Sequence, residues 1–188
     1  MNAIAIRNGR LFEMTLKATV IYDDFDFATR AAALLERVAV RVREAMKWDV
    51  KPWRLDVLKQ SSLAEAAVAE AADADLIVFA LSRADSPPTE LTAWLEHWEA
   101  RRQIADTAFM VLSPGGHGGA TPLWHELKQF AGRHGLAFLS SQDVRDNGDS
   151  MQFVHQLWRR KQPAAPAPEM IASLPQPPRP PPHWGINE

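Results

Sequence analysis

The sequence contains no cysteine among its 188 residues. Disulfide-stapled scaffolds, cysteine-ligated zinc, iron–sulfur clusters and thiol catalysis are therefore excluded. No apolar run approaches the roughly 20 residues that a membrane-spanning helix needs, and the first residues lack the apolar segment of a signal peptide. These absences predict a soluble, cytoplasmic protein.

An excess of charge of either sign is also missing. The whole chain has 21 basic and 23 acidic residues, and residues 1–161 have 20 and 21. Such a balance gives no electrostatic attraction to nucleic acid or to an anionic membrane. The composition therefore predicts neither of these as a partner.

Proline is scarce in most of the chain and concentrated at one end, where residues 162–188 hold nine of the 14 prolines. This change divides the sequence into a leader (1–16), a body (17–161) and a proline-rich tail (162–188). A body of that size buries about 70% of its unfolded surface, which is enough for one hydrophobic core. We therefore expect a single folded domain with a short segment on either side.

Short β-branched runs alternate with longer helical patterns throughout the body. Strands are predicted over residues 17–22, 52–58, 75–81, 107–113 and 136–139. This alternation predicts an α/β fold, a (βα)5 doubly wound parallel sheet with helices on both faces. The flavodoxin-like order 2-1-3-4-5 follows because the second run alternates apolar and polar residues, as at a sheet edge, while the third and fourth are continuously apolar. Ile77, Val78, Met110 and Val111 should then be buried on adjacent central strands.

Several helix boundaries are also predicted. The first helix places Leu34, Leu35, Val38, Val42 and Met46 on its inner stripe. The expected starts are a capping box at Ser62–Glu65, a capping Thr89, and Thr121 followed by Pro122. A fifth helix is predicted to start at Asp149 or Ser150, with these residues facing inward: Phe153, Val154, Leu157 and Trp158.

The carboxyl ends of the strands are the expected ligand-binding edge of such a sheet. Asp23 and Asp24 follow the first strand there, Ser82 follows the third and Ser113 ends the fourth; the other polar residues expected at this edge are Asp26, Asp85, Ser140 and Ser141. Carboxylates with hydroxyls nearby suit a hard cation such as Mg²⁺, for which Asp23 and Asp24 are the candidate ligands. The alternative is that one of these aspartates caps the first helix and the others are solvated.

A glycine loop, Ser113–Gly119, follows the fourth strand and runs into the predicted helix start at Thr121. Gly115 and Gly116 could present backbone N–H groups to a small anionic ligand, with His117 beside them. Its glycine spacing matches neither common phosphate-binding fingerprint. An ordinary loop with an incidental histidine is the alternative.

The layout resembles the receiver domain of bacterial response regulators over roughly residues 17–160. The likeness rests on the (βα)5 order, on Val-Ile-Tyr-Asp23-Asp24 at the end of the first strand, and on Ala74-Asp75-Leu-Ile-Val-Phe at the start of the third. It implies that Asp23 and Asp24 match the magnesium-binding acidic pair of that family. Ser113 would match the family's hydroxyl residue at the end of the fourth strand.

Two departures from the family pattern bear on activity. The position of the phospho-accepting aspartate holds Ala80, and residues 136–145 contain no lysine to match the one that follows the fifth strand. A chain without that carboxylate has no nucleophile for a phosphoryl group. The resemblance thus implies a degenerate receiver, a regulatory module that is not phosphorylated and acts by binding another protein. The alternative is a small-molecule or metal-binding α/β enzyme that uses the strand ends, and the sequence does not decide between a monomer and a homo-oligomer.

The two flanking segments each allow two interpretations. Asn8-Gly9 could turn a hairpin within the leader, or the leader is disordered. The tail favours extended polyproline II conformation and could be a ligand for an aromatic-lined groove, with Arg179 and Trp184 as its anchors. The alternative for the tail is a plain linker or disordered end.

Overall fold

The computed structural model describes residues 14–42, 46–83, 86–112 and 121–140. They form one five-stranded sheet in the order β2-β1-β3-β4-β5, and every pair of neighbouring strands is parallel. The elements in chain order are β1 Met14–Tyr22, α1 Phe25–Val42, β2 Met46–Arg54, a 3₁₀ helix Leu55–Lys59, α2 Ser61–Ala71, β3 Leu76–Ala80, α3 Thr89–Glu99, β4 Ala108–Leu112, α4 Pro122–Arg133 and β5 Ala137–Ser140. This is the predicted doubly wound, flavodoxin-like α/β arrangement.

The helices lie on two faces of the sheet. The inward residues of α2, α3 and α4 share one core cluster, and those of α1 belong to a second cluster on the other face. Right-handed crossovers explain this division: the chain moves one way from β1 to β2 and the opposite way through β3, β4 and β5. The order reverses at β1 and β3, and ligands bind at that position in open α/β sheets.

The central strands are fully buried, as predicted. Every residue of β3 and β4 is buried, including Ile77, Val78, Met110 and Val111. Val78 pairs with Val20 of β1 on one side and with Met110 of β4 on the other. Alternate residues of each strand enter opposite clusters, so both faces of the sheet need a covering layer.

The edge position of β2 is confirmed, but its predicted range was wrong. The strand covers Met46–Arg54 instead of 52–58, and the rest of the predicted range forms the 3₁₀ helix. Met46 consequently lies in β2 and not on α1, which ends at Val42. β1 begins at Met14, three residues before its predicted start, because Met14 to Leu16 pair with Met46 to Trp48.

One of the three predicted helix caps is present. The Thr121 hydroxyl accepts a hydrogen bond from the Trp124 N–H at 3.2 Å, and Pro122 occupies the first helical position. The prediction of a capping box at Ser62 is wrong, because α2 already starts at Ser61. Gln60 occupies the cap position and makes no side-chain cap bond. The Thr89 cap is also wrong: Thr89 is already helical, and Pro88 occupies the cap position without a side-chain bond.

Asp75 connects three strands by hydrogen bonds at the amino-terminal end of β3. Its buried carboxylate accepts a hydrogen bond from the Lys17 N–H at 2.7 Å, and its own N–H donates to the Lys17 carbonyl at 2.9 Å. Its carbonyl accepts from the Ala108 N–H at 3.0 Å. Asp75 therefore ties β1, β3 and β4 together immediately before β3 begins.

The predicted leader hairpin, the fifth helix and the proline-rich tail lie outside the described residues, apart from the end of the leader that enters β1. Among the helices that are described, none is long and apolar enough to cross a bilayer.

Candidate functional site

Asp23 and Ser82 meet at the carboxyl ends of β1 and β3. The Ser82 N–H donates to Asp23 Oδ1 at 2.8 Å, and the Ser82 hydroxyl donates to Asp23 Oδ2 at 2.9 Å. Because β1 and β3 are parallel neighbours, their following residues emerge side by side. The sequence prediction placed both residues at this edge, and the structure joins them directly through both carboxylate oxygens.

Asp24 has a different role from its neighbour. Its side chain is exposed, and Oδ1 accepts a hydrogen bond from the Asp26 N–H at 2.7 Å. Asp24 immediately precedes α1, so this bond satisfies one of the open N–H groups of the first helical turn. Of the two interpretations of the acidic residues, helix capping therefore applies to Asp24.

Ala80 ends β3 and contributes no reactive group to the edge. It pairs with Tyr22 of β1 and Leu112 of β4, and its side chain is fully buried in the core cluster on the α1 face. A methyl group in that position neither binds a cation nor attacks an electrophile.

A cleft of about 510 Å³ opens at this edge. Its wall combines Asp23, Asp24 and Ser82 with residues from the end of β2, the 3₁₀ helix and the loop before α3. The lining includes four acidic and three basic side chains: Asp23, Asp24, Asp56, Glu90, Arg54, Lys59 and Arg83. The cleft is therefore polar and nearly balanced in charge.

Most of these charges are paired within the protein. Arg54 binds Asp56 through two nitrogens, one of them (Nε) donating to Oδ1 at 2.8 Å. Lys59 Nζ lies 3.4 Å from Glu90 Oε1 and links the 3₁₀ helix to α3. The sequence analysis did not predict any of these four residues as part of the site. It extended β2 to Leu58, whereas the strand ends at Arg54 and a 3₁₀ helix follows.

The glycine-loop candidates lie outside the described residues. These are Ser113, Gly115, Gly116 and His117, and Asp85 and Ser141 lie outside them as well. The backbone of Ser140 ends β5. The prediction that this loop binds a ligand stays a prediction.

The residues described at the acidic pair offer a cation few ligands. Asp23 already accepts two hydrogen bonds from Ser82, Asp24 caps α1, and the end of β3 supplies only the methyl group of Ala80. In the described ranges, no group of three or more His, Asp or Glu side chains could share a metal ion. Magnesium binding by Asp23 and Asp24 stays a prediction, and no chemical step is assigned to it.

Neither the comparison with protein-family models nor the comparison with curated proteins gives a match for this chain.

Proposed function

We propose that this protein is a non-catalytic, receiver-like regulatory module that works by binding another protein and is not phosphorylated. The observation that carries the proposal is Ala80, a fully buried methyl group at the end of β3, the position of the phospho-accepting aspartate in the receiver domains that the chain resembles.

The bonding of Asp23 supports the same conclusion. In a phosphorylated receiver, new charge at the end of the third strand moves a hydroxyl group and a loop. Here the Asp23 carboxylate already joins β1 to the chain after β3 through two hydrogen bonds from Ser82. The edge is held by internal bonds, and no acceptor is present at position 80 to receive the charge.

Phe25 is the candidate contact for a partner. Phe25 is 75% exposed at the first position of α1, between Asp26 and Asp24, and Asp24 lines the cleft. An exposed aromatic ring can anchor a protein interface, because its burial there removes a large apolar area from water.

The experiment that tests the proposal is affinity capture from the source organism with the full chain, done with and without magnesium and acetyl phosphate. We expect the same partner in equal amount under both conditions, and much less of it with Phe25→Ser. Val40→Ser is the matched control, because Val40 is equally exposed (74%) but lies near the other end of α1. A partner retained only with the phosphodonor, or no protein retained above a control bait, would contradict the proposal.

The cleft favours a second candidate function, binding of a small polar ligand. Arg83 lines the cleft and is exposed, and it forms no ion pair with another described residue. Titration with L-glutamate, L-arginine or inorganic phosphate tests this alternative. The NMR signal of the Ser82 amide reports binding. A saturable shift that Arg83→Ala or Asp23→Asn removes would favour it over the first proposal.

A further inference from the structure

Four consecutive residues at the end of β1 and the start of α1 reach the cleft or the surface beside it. Asp23 and Asp24 line the cleft, and Phe25 and Asp26 are exposed at the first two positions of α1. Phe25 and Val40 are the two large apolar side chains that are exposed in the described ranges, and acidic residues flank only Phe25. The surface around Phe25 therefore combines an apolar ring with carboxylates.

These carboxylates have more acceptor sites than the described part of the protein fills. Each Asp23 oxygen accepts one hydrogen bond from Ser82, and Asp24 Oδ1 accepts one from the Asp26 N–H. A carboxylate offers about four acceptor sites. No described basic residue forms an ion pair with any of the three aspartates. The open groups are acceptors, so they suit a ligand that donates hydrogen bonds and carries a positive charge.

The basic residues nearby do not cancel the negative charge of this surface. Arg54 and Lys59 are already paired with acidic residues of the cleft wall. The Arg30 guanidinium, one turn along α1, lies 5.1 Å from the centre of the Phe27 ring. Arg83 is then the one basic residue of the lining without an ion pair to another described residue, against two unpaired aspartates of the lining. The surface beside Phe25 is therefore acidic.

We propose that the surface formed by residues 23–26 binds an arginine side chain of the protein partner, next to an apolar residue of the same segment. The inference rests on the proposed function, because it names the chemistry of the partner that contacts Phe25. A guanidinium only donates hydrogen bonds, its planar fork matches a carboxylate, and its face stacks on an aromatic ring. Lysine lacks the planar fork, so arginine should bind more tightly than lysine.

A synthetic peptide tests this chemistry before the partner is known. The probe is Gly-Leu-Arg-Leu-Gly-amide with an uncharged fluorescent label, titrated with the full chain at low salt and followed by fluorescence anisotropy. Two control peptides contain lysine or citrulline instead of arginine; citrulline keeps the shape of arginine and removes its charge. We expect the arginine peptide to bind about tenfold more tightly than the citrulline peptide, and also more tightly than the lysine peptide. Equal affinity for arginine and citrulline would overturn the proposal.

Variants of the protein show where the peptide binds. Asp24→Asn removes a charge but keeps an acceptor for the Asp26 N–H, so α1 stays capped. We expect Asp24→Asn and Phe25→Ser to weaken binding of the arginine peptide about fivefold or more. Glu126→Gln, which removes an exposed charge on α4 at the other face of the sheet, and Val40→Ser are the matched controls and should bind as the natural protein does. Equal affinities of the Asp24→Asn and Glu126→Gln proteins would show that the peptide binds elsewhere and that the proposal is wrong.

Failure of this inference is distinguishable from failure of the proposed function. If a partner is captured through Phe25 but the peptide shows no preference for arginine, the inference is wrong and the proposed function stands. If the peptide prefers arginine and needs both Asp24 and Phe25, but no protein is captured, the surface binds arginine and the proposed function is wrong.

Discussion

At the scale of single residues, Asp75 and Asp73 show how burial determines the contribution of a carboxylate to the stability of the fold. Both accept hydrogen bonds from Lys17, Asp75 from the backbone N–H and Asp73 from the side-chain ammonium. Asp75 is buried, with 3% exposure, whereas the side chain of Asp73 is 40% exposed. If the bond to Asp75 is lost, water cannot reach the Lys17 N–H to replace it. If the bond to Asp73 is lost, water can take the place of that carboxylate.

We expect Asp75→Ala to lower the free energy of unfolding by about 1–3 kcal/mol, because the Lys17 N–H loses its acceptor in the protein interior. Asp73→Ala, the matched control, should cost less than about 1 kcal/mol, as is usual for exposed ion pairs. Urea denaturation measures both values. Equal losses would show that Asp75 does not hold the strands together in the way described.

The Lys17–Asp73 pair also predicts a pH dependence. The pKa of Lys17 is raised above its usual range, first by the hydrogen bond to Asp73 and then by the attraction of the same carboxylate. A raised folded-state pKa adds stability that is complete below the ordinary lysine pKa of about 10.4 and is lost as the pH rises through the raised value. We expect the stability difference between the natural protein and Lys17→Met to be constant from pH 7 to 9 and to shrink above pH 10.5; a difference that grows with pH would contradict this.

At the scale of elements, α4 contains one glycine and is followed by another, and the two have opposite expected effects. Gly132 lies inside the helix, whereas Gly135 follows it with φ +67°. The Leu136 N–H donates to the Ala131 carbonyl at 2.8 Å, and the Gly135 N–H donates to the Gly132 carbonyl at 3.4 Å. This is the Schellman arrangement, in which the left-handed residue after the helix is usually glycine.

Alanine at these positions should separate the two effects. A Cβ atom at either position would meet nothing within 4 Å, so only backbone preference differs. We expect Gly132→Ala to stabilise the protein by roughly 0.5–1 kcal/mol. Gly135→Ala should destabilise it by about 1–2 kcal/mol, because a Cβ atom disfavours the left-handed conformation. Thermal denaturation measures both effects. Shifts of the melting temperature in the same direction for the two variants would contradict this assignment.

The elements also show which sequence signals were sufficient. The apolar runs of β3 and β4 and the Thr121-Pro122 pair were interpreted correctly, because burial on both faces and a proline after a cap leave few alternatives. The range of β2 was predicted incorrectly. An edge strand is half exposed, so a polar residue within it does not show where the strand begins or ends. Ser62 and Thr89 showed that a hydroxyl residue near a helix start does not specify which residue is the cap.

At the scale of the whole molecule, the topology brought Asp23 and Ser82 together, and the strand order was enough to predict that. The charged wall of the cleft was not predictable in the same way. Arg54 and Asp56 pair because β2 ends between them and the chain turns into a 3₁₀ helix, and Lys59 reaches Glu90 only when that helix packs near α3. Such pairs depend on where an element ends to within one residue.

The most direct test of the central claim is the intact mass of the full chain after incubation with magnesium and acetyl phosphate. We expect no phosphoryl adduct on the natural protein, because the fully buried Ala80 side chain has no nucleophile. A phosphoryl group gained by Ala80→Asp and not by the matched control Ala80→Asn would support the assignment of position 80 as the place of the missing acceptor. A phosphoryl group on the natural protein, mapped to residues 75–90, would contradict the account.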